Sequence, residues 1–576
     1  MSEHDTTDKF KEAQDLRARV AQATQKIVGN SDENWRPDGI CVSVPLGFKA
    51  TEASARESID KLSDLDDTWQ RNGALVRVIE TDVYLGKDGK GKPRTGTQLA
   101  IQDLDPPLTS KALCKATRFW KYIGYDHNTH SWERIEPNSK IVNLVTSLKE
   151  YPRVPVLKGI VQSPSMRADG SILDIPGYDE ATGWFFRPSG TFLKVPDQPN
   201  EAQIKASVAC LAEPFKAHEG YDSFPFVSES HRWLPIAMAM TLLVRPAIEG
   251  CVPFFGFDAT DAGTGKGMAV DVASIIATGR EAAKSTFPAG NAEEMEKVLS
   301  SHAIAGSQLI CFDNCSQIIR GDALEKIATT PIVEFRVLGV SEIRKLSWQS
   351  VLAFTGNQLS FHGDTARRVL NCRQESPVEL PSKRANFKHA DLVGWVKQKR
   401  PELVRAALTI LRAYVLSGDT QSKAAVKGFG SFGAWSALVA AAIHWSTGHN
   451  VLDCRLELET ADPIREAEVM LLRSICALQD VRQVKYLSTK EILDAAYLEE
   501  TITYSPPTRA PVFPELREAF DHLITSNSRD MKGRPGTFTV ARMLEKRKNA
   551  VRGGFKLNSL KDSSTNSIVW SAKQVK

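Results

Sequence analysis

A glycine-rich stretch with a single lysine stands between an apolar run and a helical pattern. Residues 252–257 are typical of a buried strand, residues 263–266 spell Gly-Thr-Gly-Lys, and a helical pattern begins near Met268. Strand, glycine turn, lysine and helix form the context of a phosphate-binding loop, in which backbone N–H groups and a helix N-terminus hold phosphate oxygens. We therefore expect a nucleotide to bind here, with Lys266 reaching its β- and γ-phosphates.

The expected phosphate loop consists of Ala262, Gly263, Thr264, Gly265, Lys266, Gly267 and Met268. Two departures from the ideal loop affect its chemistry. Thr260 stands where the first glycine is usual, and Gly267 stands where a Ser or Thr hydroxyl usually binds Mg²⁺. Without that hydroxyl, we expect Mg²⁺ to be held through water or by a carboxylate from another strand.

A carboxylate follows a later apolar run. Residues 308–312 are typical of a buried strand that leads to Asp313, 47 residues after Lys266. A carboxylate at the end of a strand beside the loop can hold Mg²⁺ and its waters, so Asp313 is the expected metal ligand. The adjacent position, which in such ATPases often carries a catalytic Glu, is Asn314.

The carboxylate that activates water must then come from elsewhere in the chain. A helical segment with Glu293, Glu294 and Glu296 could supply it, and Glu294 is the candidate. The alternative is that these acids lie on the solvated face of an amphipathic helix.

A third apolar run, 350–354, leads to Asn357, 44 residues after Asp313. The amide of Asn357 could orient the attacking water against the γ-phosphate, or the residue could simply cap its strand. Arg367 and Arg368 follow a glycine-containing turn, which suits an arginine finger that neutralises charge on the transferring phosphoryl group. Spacing does not rank the two arginines, and a local salt bridge is the alternative role.

Together these motifs resemble the superfamily 3 helicases, a branch of the AAA+ ATPases. The similarity is greatest to the helicase part of primase-helicases from phages, plasmids and integrated mobile elements, and it spans about residues 65–575. Segments that look like the family's signatures before, within and after the ATPase core are 70–77, 169–173, 176–179, 224–226, 335–339, 355–358, 364–368 and 430–435. Gly267 and Asn314 depart from the family's pattern.

The resemblance implies a homo-hexameric ring that uses ATP and Mg²⁺ to pull a single DNA strand through its pore. In such rings a β-hairpin between the acidic strand and the asparagine strand carries the basic residues that grip DNA. That interval contains Arg344 and Lys345, which would contact phosphates rather than read bases. An exposed basic turn is the alternative. Residues 1–200 show no convincing primase carboxylate motif, so a primase, if needed, would be a separate protein.

The chain as a whole predicts a multidomain fold of α/β and α parts. We expect a mixed α+β N-terminal domain at 1–197, a helical segment at 198–250 and an AAA+ P-loop ATPase core at 251–380. A helical domain at 381–484 and a basic winged helix at 485–576 follow. Residues 1–35 are typical of a helix and a loop.

Positive charge is concentrated at the C-terminal end. Residues 531–576 contain eleven Lys and Arg against two acidic residues, a charge of +9, so the remainder of this +4 chain carries −5. A basic end on a mildly acidic body favours a polyanionic partner. Residues 538–548 predict a helix with Arg542, Lys546 and Lys548 off its apolar face, followed by two strands. This pattern is typical of a winged helix that contacts duplex DNA, or alternatively a protein.

Composition favours a globular protein without a cysteine-bound metal and without a membrane span. Nine cysteines are scattered without a Cys-x-x-Cys pair, so we expect reduced thiols rather than a metal site. The apolar stretches 233–244 and 435–443 are too short to span a bilayer, and the first twenty residues contain no apolar signal core. We therefore expect no membrane association and a location in the cytoplasm of a bacterial host.

The expected function is that of an ATP-dependent replicative DNA helicase or translocase of a phage, plasmid or integrated island. Two other classes fit the same motifs. One is an AAA+ remodeller or helicase loader that does not unwind DNA. The other is a non-catalytic protein that binds ATP and recognises a replication origin.

Overall fold

A computed structural model describes residues 38–42, 48–87, 93–126, 129–337, 342–426, 428–455, 463–504, 507–524, 533–563 and 567–575. They fall into two compact units. The first contains the described residues of Met1–Gly159, Tyr178–Phe185 and Ile304–Gly306, and the second contains the others. The helix and loop expected at 1–35 lie outside the described residues.

The described residues of the first unit include two small sheets and three helices. Its elements are β1 (Ile40–Val42), α1 (Phe48–Leu62), β2 (Trp69–Arg71), β3 (Ala74–Lys87), β4 (Pro93–Asp103), α2 (Pro106–Ala116), β5 (Phe119–Asp126), β6 (Thr129–Ile135) and α3 (Ser139–Leu148). Strands β2, β3 and β4 form an antiparallel meander, whereas β5 pairs in parallel with β1 and antiparallel with β6. The Asp105 carboxylate starts α2 by accepting the Leu108 N–H at 2.9 Å.

In chain order, five short strands and two helices lie between α3 and the main sheet of the second unit. They are β7 (Gly159–Val161), β8 (Ser165–Met166), β9 (Ile172–Leu173), β10 (Gly177–Asp179), β11 (Trp184–Phe186), α4 (Glu201–Ala212) and α5 (Glu229–Leu243). A reciprocal capping box between Asn200 and Gln203 starts α4. Helix α5 is apolar around most of its circumference, and it is accordingly buried along almost its whole length.

A five-stranded parallel sheet forms the core of the second unit. The elements in this part of the chain are β12 (Phe254–Ala259), α6 (Lys266–Thr278), β13 (Lys284–Ser285), α7 (Ala292–Ala305), β14 (Leu309–Phe312), α8 (Asp322–Ile327), β15 (Ile332–Val337), β16 (Glu342–Ser347), β17 (Val351–Asn357) and β18 (Val369–Gln374). The sheet order is β13-β14-β17-β12-β18, and every neighbouring pair is parallel. The central strands are buried on both faces, as parallel sheets usually are, and their carboxyl ends lie at one edge.

Two buried arginines tie the backbone around this sheet together. The Arg245 guanidinium donates to the carbonyls of Ile248 and Gly250 before β12, at 2.6 and 2.8 Å, and to two carbonyls just before β17. Arg400 donates to the carbonyls of Ile276 and Ala277 at the C-terminal end of α6. Because burial removes hydration from each cation, the pKa of each falls to about 10, and these carbonyls satisfy its donors.

Several helices follow the parallel sheet in the chain and belong to the same unit. They are α9 (Leu392–Ser417), α10 (Gln421–Ala425), α11 (Gly433–Trp435) and α12 (Ala441–Thr447), with a π-helical turn at Ser436–Ala440. The fully buried Trp435 donates from its indole N–H to the Thr241 hydroxyl of α5 at 2.8 Å. Helix α9 packs against α4 and α6, so the helical segments cover the sheet.

The C-terminal part has its own core. Its elements are α13 (Pro463–Arg482), β19 (Leu487–Ser488), α14 (Thr489–Ala496), β20 (Glu499–Tyr504), β21 (Pro507–Pro511), α15 (Pro514–Leu523), α16 (Thr537–Glu545), β22 (Val551–Arg552), β23 (Phe555–Lys561) and β24 (Ile568–Gln574). Strands β19, β24, β23 and β22 form an antiparallel sheet in that order, and Trp570 is buried between this sheet and the helices. Helix α13, which the sequence pattern assigned to the preceding helical segment, contributes Leu471 and Ile475 to this core.

The prediction of a mixed α/β, multidomain chain is confirmed at that level. The eight cysteines whose side chains are described are free thiols, and five of them are buried. In the described part of the chain, no helix combines the length and the apolar character that crossing a membrane requires.

Candidate functional site

The expected phosphate loop joins β12 to α6 at the carboxyl edge of the parallel sheet. Gly263 and Gly265 have φ angles of +82° and +103°, which side chains other than glycine rarely adopt. A Cβ at Gly263 would lie 2.8 Å from the backbone nitrogen of Ser382, and one at Gly265 would lie 2.7 Å from the ring of Phe224. Both glycines are therefore required by conformation and by space.

Lys266 is the first residue of α6, and its side chain crosses to the neighbouring strand. Its ammonium donates to the Asn357 side-chain oxygen at 2.6 Å and to the Asp261 carbonyl at 3.1 Å. Partial burial lowers the pKa of Lys266, while the charges of Asp258, Asp261 and Asp313 act in the opposite direction. The ammonium thus lies among negative groups at the N-terminus of a helix, where an anion is stabilised.

The other residues of the expected loop differ in their exposure. Ala262 and Met268 are exposed, whereas Thr264 is buried and its carbonyl accepts a hydrogen bond from Arg384 at 3.3 Å. Gly267 lies in the first turn of α6, where a Cβ would meet no atom closer than 3.9 Å among the described residues. The missing side chain at Gly267 is therefore not required by steric crowding.

Asp313 follows β14 and is held by a residue that sequence reasoning missed. The Thr355 hydroxyl donates to the Asp313 carboxylate at 2.5 Å and accepts the Asn314 backbone N–H at 3.1 Å. Asn314 has a φ of +53°, a left-handed conformation that asparagine tolerates better than most residues. Thr355 was detectable as the polar residue that follows the apolar run 351–354, two positions before Asn357.

A buried carboxylate in β12 holds the turn that follows Asn357. Asp258 is 2% exposed, pairs with Arg373 opposite it on β18, and accepts the Leu359 backbone N–H at 2.8 Å. A buried carboxylate requires such a partner because burial removes its hydration. The signal in the sequence is a single Asp inside the otherwise apolar run 254–259, a signal that sequence reasoning did not use.

A third missed residue, Arg384, contacts the phosphate loop from the segment after β18. It donates to the Ser223 carbonyl at 2.7 Å as well as to Thr264. The segment that carries it pairs with residue 222 through the Asn386 carbonyl, which accepts the Asp222 N–H at 2.7 Å. Two segments far apart in sequence therefore meet at the loop, which no local pattern could reveal.

The structure separates the two candidate finger arginines. Both lie in the 3₁₀ turn Gly363–Arg368 and both pair with Asp364. The Arg368 side chain is 9% exposed and also donates to the Asp364 carbonyl at 3.0 Å, whereas the Arg367 side chain is 62% exposed. Of the two, Arg367 is therefore the arginine that faces solvent.

Glu294 lies apart from the other candidates. It is in the first turn of α7, about half exposed, and 3.8 Å from Lys297. In the described residues no hydrogen bond or ion pair joins Glu294 to Lys266, Asp313 or Asn357. The water-activating role assigned to it therefore stays a prediction.

Arg344 and Lys345 lie on opposite faces of the antiparallel hairpin β15–β16. Arg344 is half-buried opposite the buried Phe335, whereas Lys345 is 76% exposed opposite Glu334 and 3.9 Å from its carboxylate. The tip of this hairpin, 338–341, lies outside the described residues. The strand register therefore makes Lys345 the more accessible of the two.

The basic residues of the C-terminal end lie at the end of α16. Val540, Met543 and Leu544 are buried, as the helical spacing predicted, and Arg542 and Lys546 are exposed. The helix ends at Glu545, so Lys546, its C-cap residue, and Lys548 lie beyond it and not within the helix as predicted. Lys548 pairs with Glu545 at 3.4 Å. The chain turns here because the Arg547 and Lys548 N–H groups bond carbonyls only three residues back.

Three of the predicted residues therefore meet at one edge of the sheet. Lys266 contacts Asn357 directly, and Asp313 is linked to the same strand through Thr355. Glu294, the 3₁₀ turn, the hairpin and the C-terminal basic residues are separate features.

The chain has only low similarity to the known proteins that were compared with it. No protein-family model and no curated protein matches the sequence. The A-form apo structure of the NrS-1 C-terminal region is similar at a TM-score of 0.33 and 10% identity, over 82% of this chain and 100% of that one. A ligand-bound JCV helicase is similar at a TM-score of 0.21 and 10% identity, over 46% of this chain and 62% of that one. TM-scores below 0.5 do not establish a shared fold.

The required glycine provides a test of the loop geometry. Gly265→Ala adds a Cβ that collides with Phe224 at a positive φ, so we expect the free energy of unfolding to fall by about 1–3 kcal/mol. Gly267→Ala, two residues away, meets no close atom and should change stability by less than about 1 kcal/mol. Urea denaturation of both variants measures the difference, and equal stabilities would contradict this loop conformation.

Proposed function

We propose that this protein is an ATP-driven DNA helicase or translocase of the superfamily 3 type, which acts as a homo-hexameric ring in the replication of a mobile element. The observation that carries the proposal is the contact of Lys266 with Asn357 beside the Asp313 strand end. A lysine on a glycine loop, a carboxylate and an amide are the groups that phosphoryl transfer to water requires. An AAA+ core is part of the proposal, and the parallel sheet is compatible with it.

The residues at the carboxyl edge of the parallel sheet fit a nucleoside triphosphate. The ammonium of Lys266 now rests on two neutral oxygens, those of Asn357 and of the Asp261 carbonyl. Phosphate oxygens are stronger acceptors, and they would also face the N-terminus of α6. The two left-handed glycines turn the loop backbone, as the approach of phosphates demands.

The residues also fit a magnesium ion, although one usual ligand is missing. Asp313 would hold Mg²⁺, because its carboxylate is fixed by the Thr355 hydroxyl at the open end of β14. When bound, Mg²⁺ would supply positive charge to the β- and γ-phosphates. Gly267 offers no hydroxyl for the ion.

In this proposal each residue has one task. Lys266 binds the transferring phosphoryl group, and Asn357, released from the ammonium, orients the attacking water. Asp258 is a positioning residue, because it fixes the turn after Asn357 through the Leu359 N–H. Positioning of this kind can contribute several kcal/mol to a reaction that otherwise needs little covalent help.

The DNA contacts are proposed at two places. Lys345 and Arg344 on the hairpin would contact the backbone of a single strand in the pore, and Lys345 is the more exposed of the two. The C-terminal part, proposed as a winged helix, would contact duplex DNA through Arg542, Lys546 and Lys548. A primase, where one is needed, would be a separate partner.

Lys266→Ala tests the proposal as a whole. Removal of the ammonium should lower ATP hydrolysis by at least about 100-fold and abolish strand displacement on a forked duplex. Lys205→Ala, which removes an exposed lysine paired with Glu201, should leave both activities unchanged.

Measuring ATP hydrolysis and strand displacement by the wild-type protein also distinguishes a helicase from the two alternative functions. ATP hydrolysis without strand displacement by the wild-type protein would favour a remodeller or a helicase loader. DNA binding with neither activity would favour an origin-recognition protein. Both outcomes would contradict a helicase.

Arg367→Ala tests whether the exposed arginine acts on a neighbouring subunit. ATP hydrolysis should fall by about 10³-fold or more while ATP binding is retained. Mixing Arg367→Ala with Lys266→Ala subunits should restore part of the hydrolysis. In the mixed rings, the intact phosphate loop of an Arg367→Ala subunit can lie beside the intact Arg367 of a Lys266→Ala subunit. No recovery in mixed rings would contradict a finger supplied in trans by Arg367.

Lys345→Ala tests the hairpin as a DNA-binding element. The plot of log affinity for single-stranded DNA against log salt concentration should become shallower by about 0.7 for every phosphate that the lysine neutralises in the wild-type protein. Glu334→Gln, on the facing strand, removes a negative charge and should not weaken binding. An unchanged slope for Lys345→Ala would contradict the proposed role of this lysine.

A further inference from the structure

A charged group lies beside Gly267, the position that lacks the usual magnesium-binding hydroxyl. Apart from chain neighbours and the backbone of its own helix, one atom of the described residues lies within 4 Å of a Cβ built at Gly267. That atom is the ammonium nitrogen of Lys284, at 3.9 Å. A cation therefore stands beside the place where a phosphate loop usually presents a magnesium ligand.

Lys284 is held at this place by its neighbours. Its ammonium pairs with the Asp271 carboxylate at 2.8 Å, and the same oxygen of Asp271 accepts the Ala282 N–H at 3.0 Å. Asp271 lies four residues after Gly267 in α6, and residues four apart share one helix face. Because the Ala282 N–H fixes the Asp271 carboxylate, Asp271 holds the Lys284 ammonium on the helix face that contains Gly267.

The strand pairing brings Lys284 to the metal-binding edge as well. Lys284 is the register partner of Cys311, two residues before Asp313, and the Ser285 carbonyl accepts the Asp313 N–H at 2.9 Å. Burial raises the pKa of the Cys311 thiol to about 12; the charge of Lys284 lowers it, and those of Asp313 and Asp271 raise it further. The charges of Lys284 and Asp313 therefore act on the same strand end.

Lys284 offsets part of the negative charge at this edge. Lys266 and Lys284 are the cations, and Asp261, Asp271 and Asp313 are the nearby carboxylates, while Asp258 is paired with Arg373. Without Lys284 the excess of negative charge would be larger, which disfavours a polyphosphate. The Lys284 side chain is about one-third exposed, so an anion can reach it.

We propose that Lys284 is a second phosphate-binding ammonium of the nucleotide site, which replaces part of the charge that a hydroxyl-bound Mg²⁺ would supply at Gly267. This inference rests on the proposed function, because it concerns the same nucleotide. Its consequence is that the protein binds ATP with an unusually weak dependence on Mg²⁺.

The test compares ATP binding with Mg²⁺ and with EDTA, by calorimetry on the full chain. We expect the affinity of the wild-type protein in EDTA to stay within about 10-fold of its affinity in Mg²⁺. Lys284→Ala should lose at least about 10-fold more affinity in EDTA than in Mg²⁺, a difference of about 1.4 kcal/mol. Lys397→Ala, which removes a lysine in a similar ion pair with Glu281, should bind ATP as the wild type does.

Two further variants separate a phosphate contact from a purely structural ion pair. Lys284→Arg retains the charge and the pairing with Asp271, so it should retain most of the binding in EDTA. Adding Gly267→Ser to Lys284→Ala should restore binding in Mg²⁺ but not in EDTA, because the new hydroxyl acts only through the metal. Thermal unfolding of each variant establishes that it is folded.

The outcomes distinguish this inference from the proposed function. If Lys266→Ala abolishes ATP binding but Lys284→Ala binds as the wild type does in EDTA, the inference alone fails. It also fails if Lys284→Arg loses as much affinity in EDTA as Lys284→Ala. If the wild-type protein binds no ATP with Mg²⁺, the proposed function fails and this inference fails with it.

Discussion

The parallel pairing of β12 with β17 on one side and β18 on the other is the constraint on which the candidate site depends. Because all three strands run in one direction, their carboxyl ends meet at one edge. The register aligns Ala259, the last residue of β12, with Asn357, so the loop that follows β12 begins beside the asparagine. Lys266 can then reach Asn357 across one strand spacing. An antiparallel β17 would place Asn357 at the far end of the sheet.

Buried polar groups convert this edge into a defined site. Asp258 bonds β18 and the turn after β17, and the Thr355 hydroxyl bonds both Asp313 and Asn314. Each of these groups is desolvated, so loss of a partner would leave a costly unpaired charge or donor. The polar residues nearest the candidate site therefore also connect the ends of four strands, β12, β14, β17 and β18.

The sequence was informative where chemistry coincides with a local pattern. Asp313 and Asn357 stand at the ends of apolar runs that form strands, and Lys266 follows such a strand after a glycine-rich turn, so all three are visible in a single sequence. These residues depend on local order, which hydrophobic periodicity records. The hairpin between Asp313 and Asn357 was instead implied by the family resemblance, and its strands pair antiparallel in the structure.

Other features depend on interactions between distant residues, and sequence reasoning missed them. Arg384 reaches Thr264 over 120 positions, and the pairing of Asp258 with Arg373 requires the sheet order. Arg367 and Arg368 could not be ranked, because only the 3₁₀ turn decides which of them points outward. The sequence also did not reveal what lies beside Gly267, because the Lys284 ammonium, 3.9 Å from a Cβ built there, comes from a different strand.

The most direct measurement is an experimental structure of the protein with Mg²⁺ and a non-hydrolysable ATP analogue. The account predicts that phosphate oxygens replace the Asp261 carbonyl at the Lys266 ammonium, and that Asn357 faces the γ-phosphate from β17. An analogue bound elsewhere, with the 2.6 Å contact between Lys266 and Asn357 intact, would contradict it.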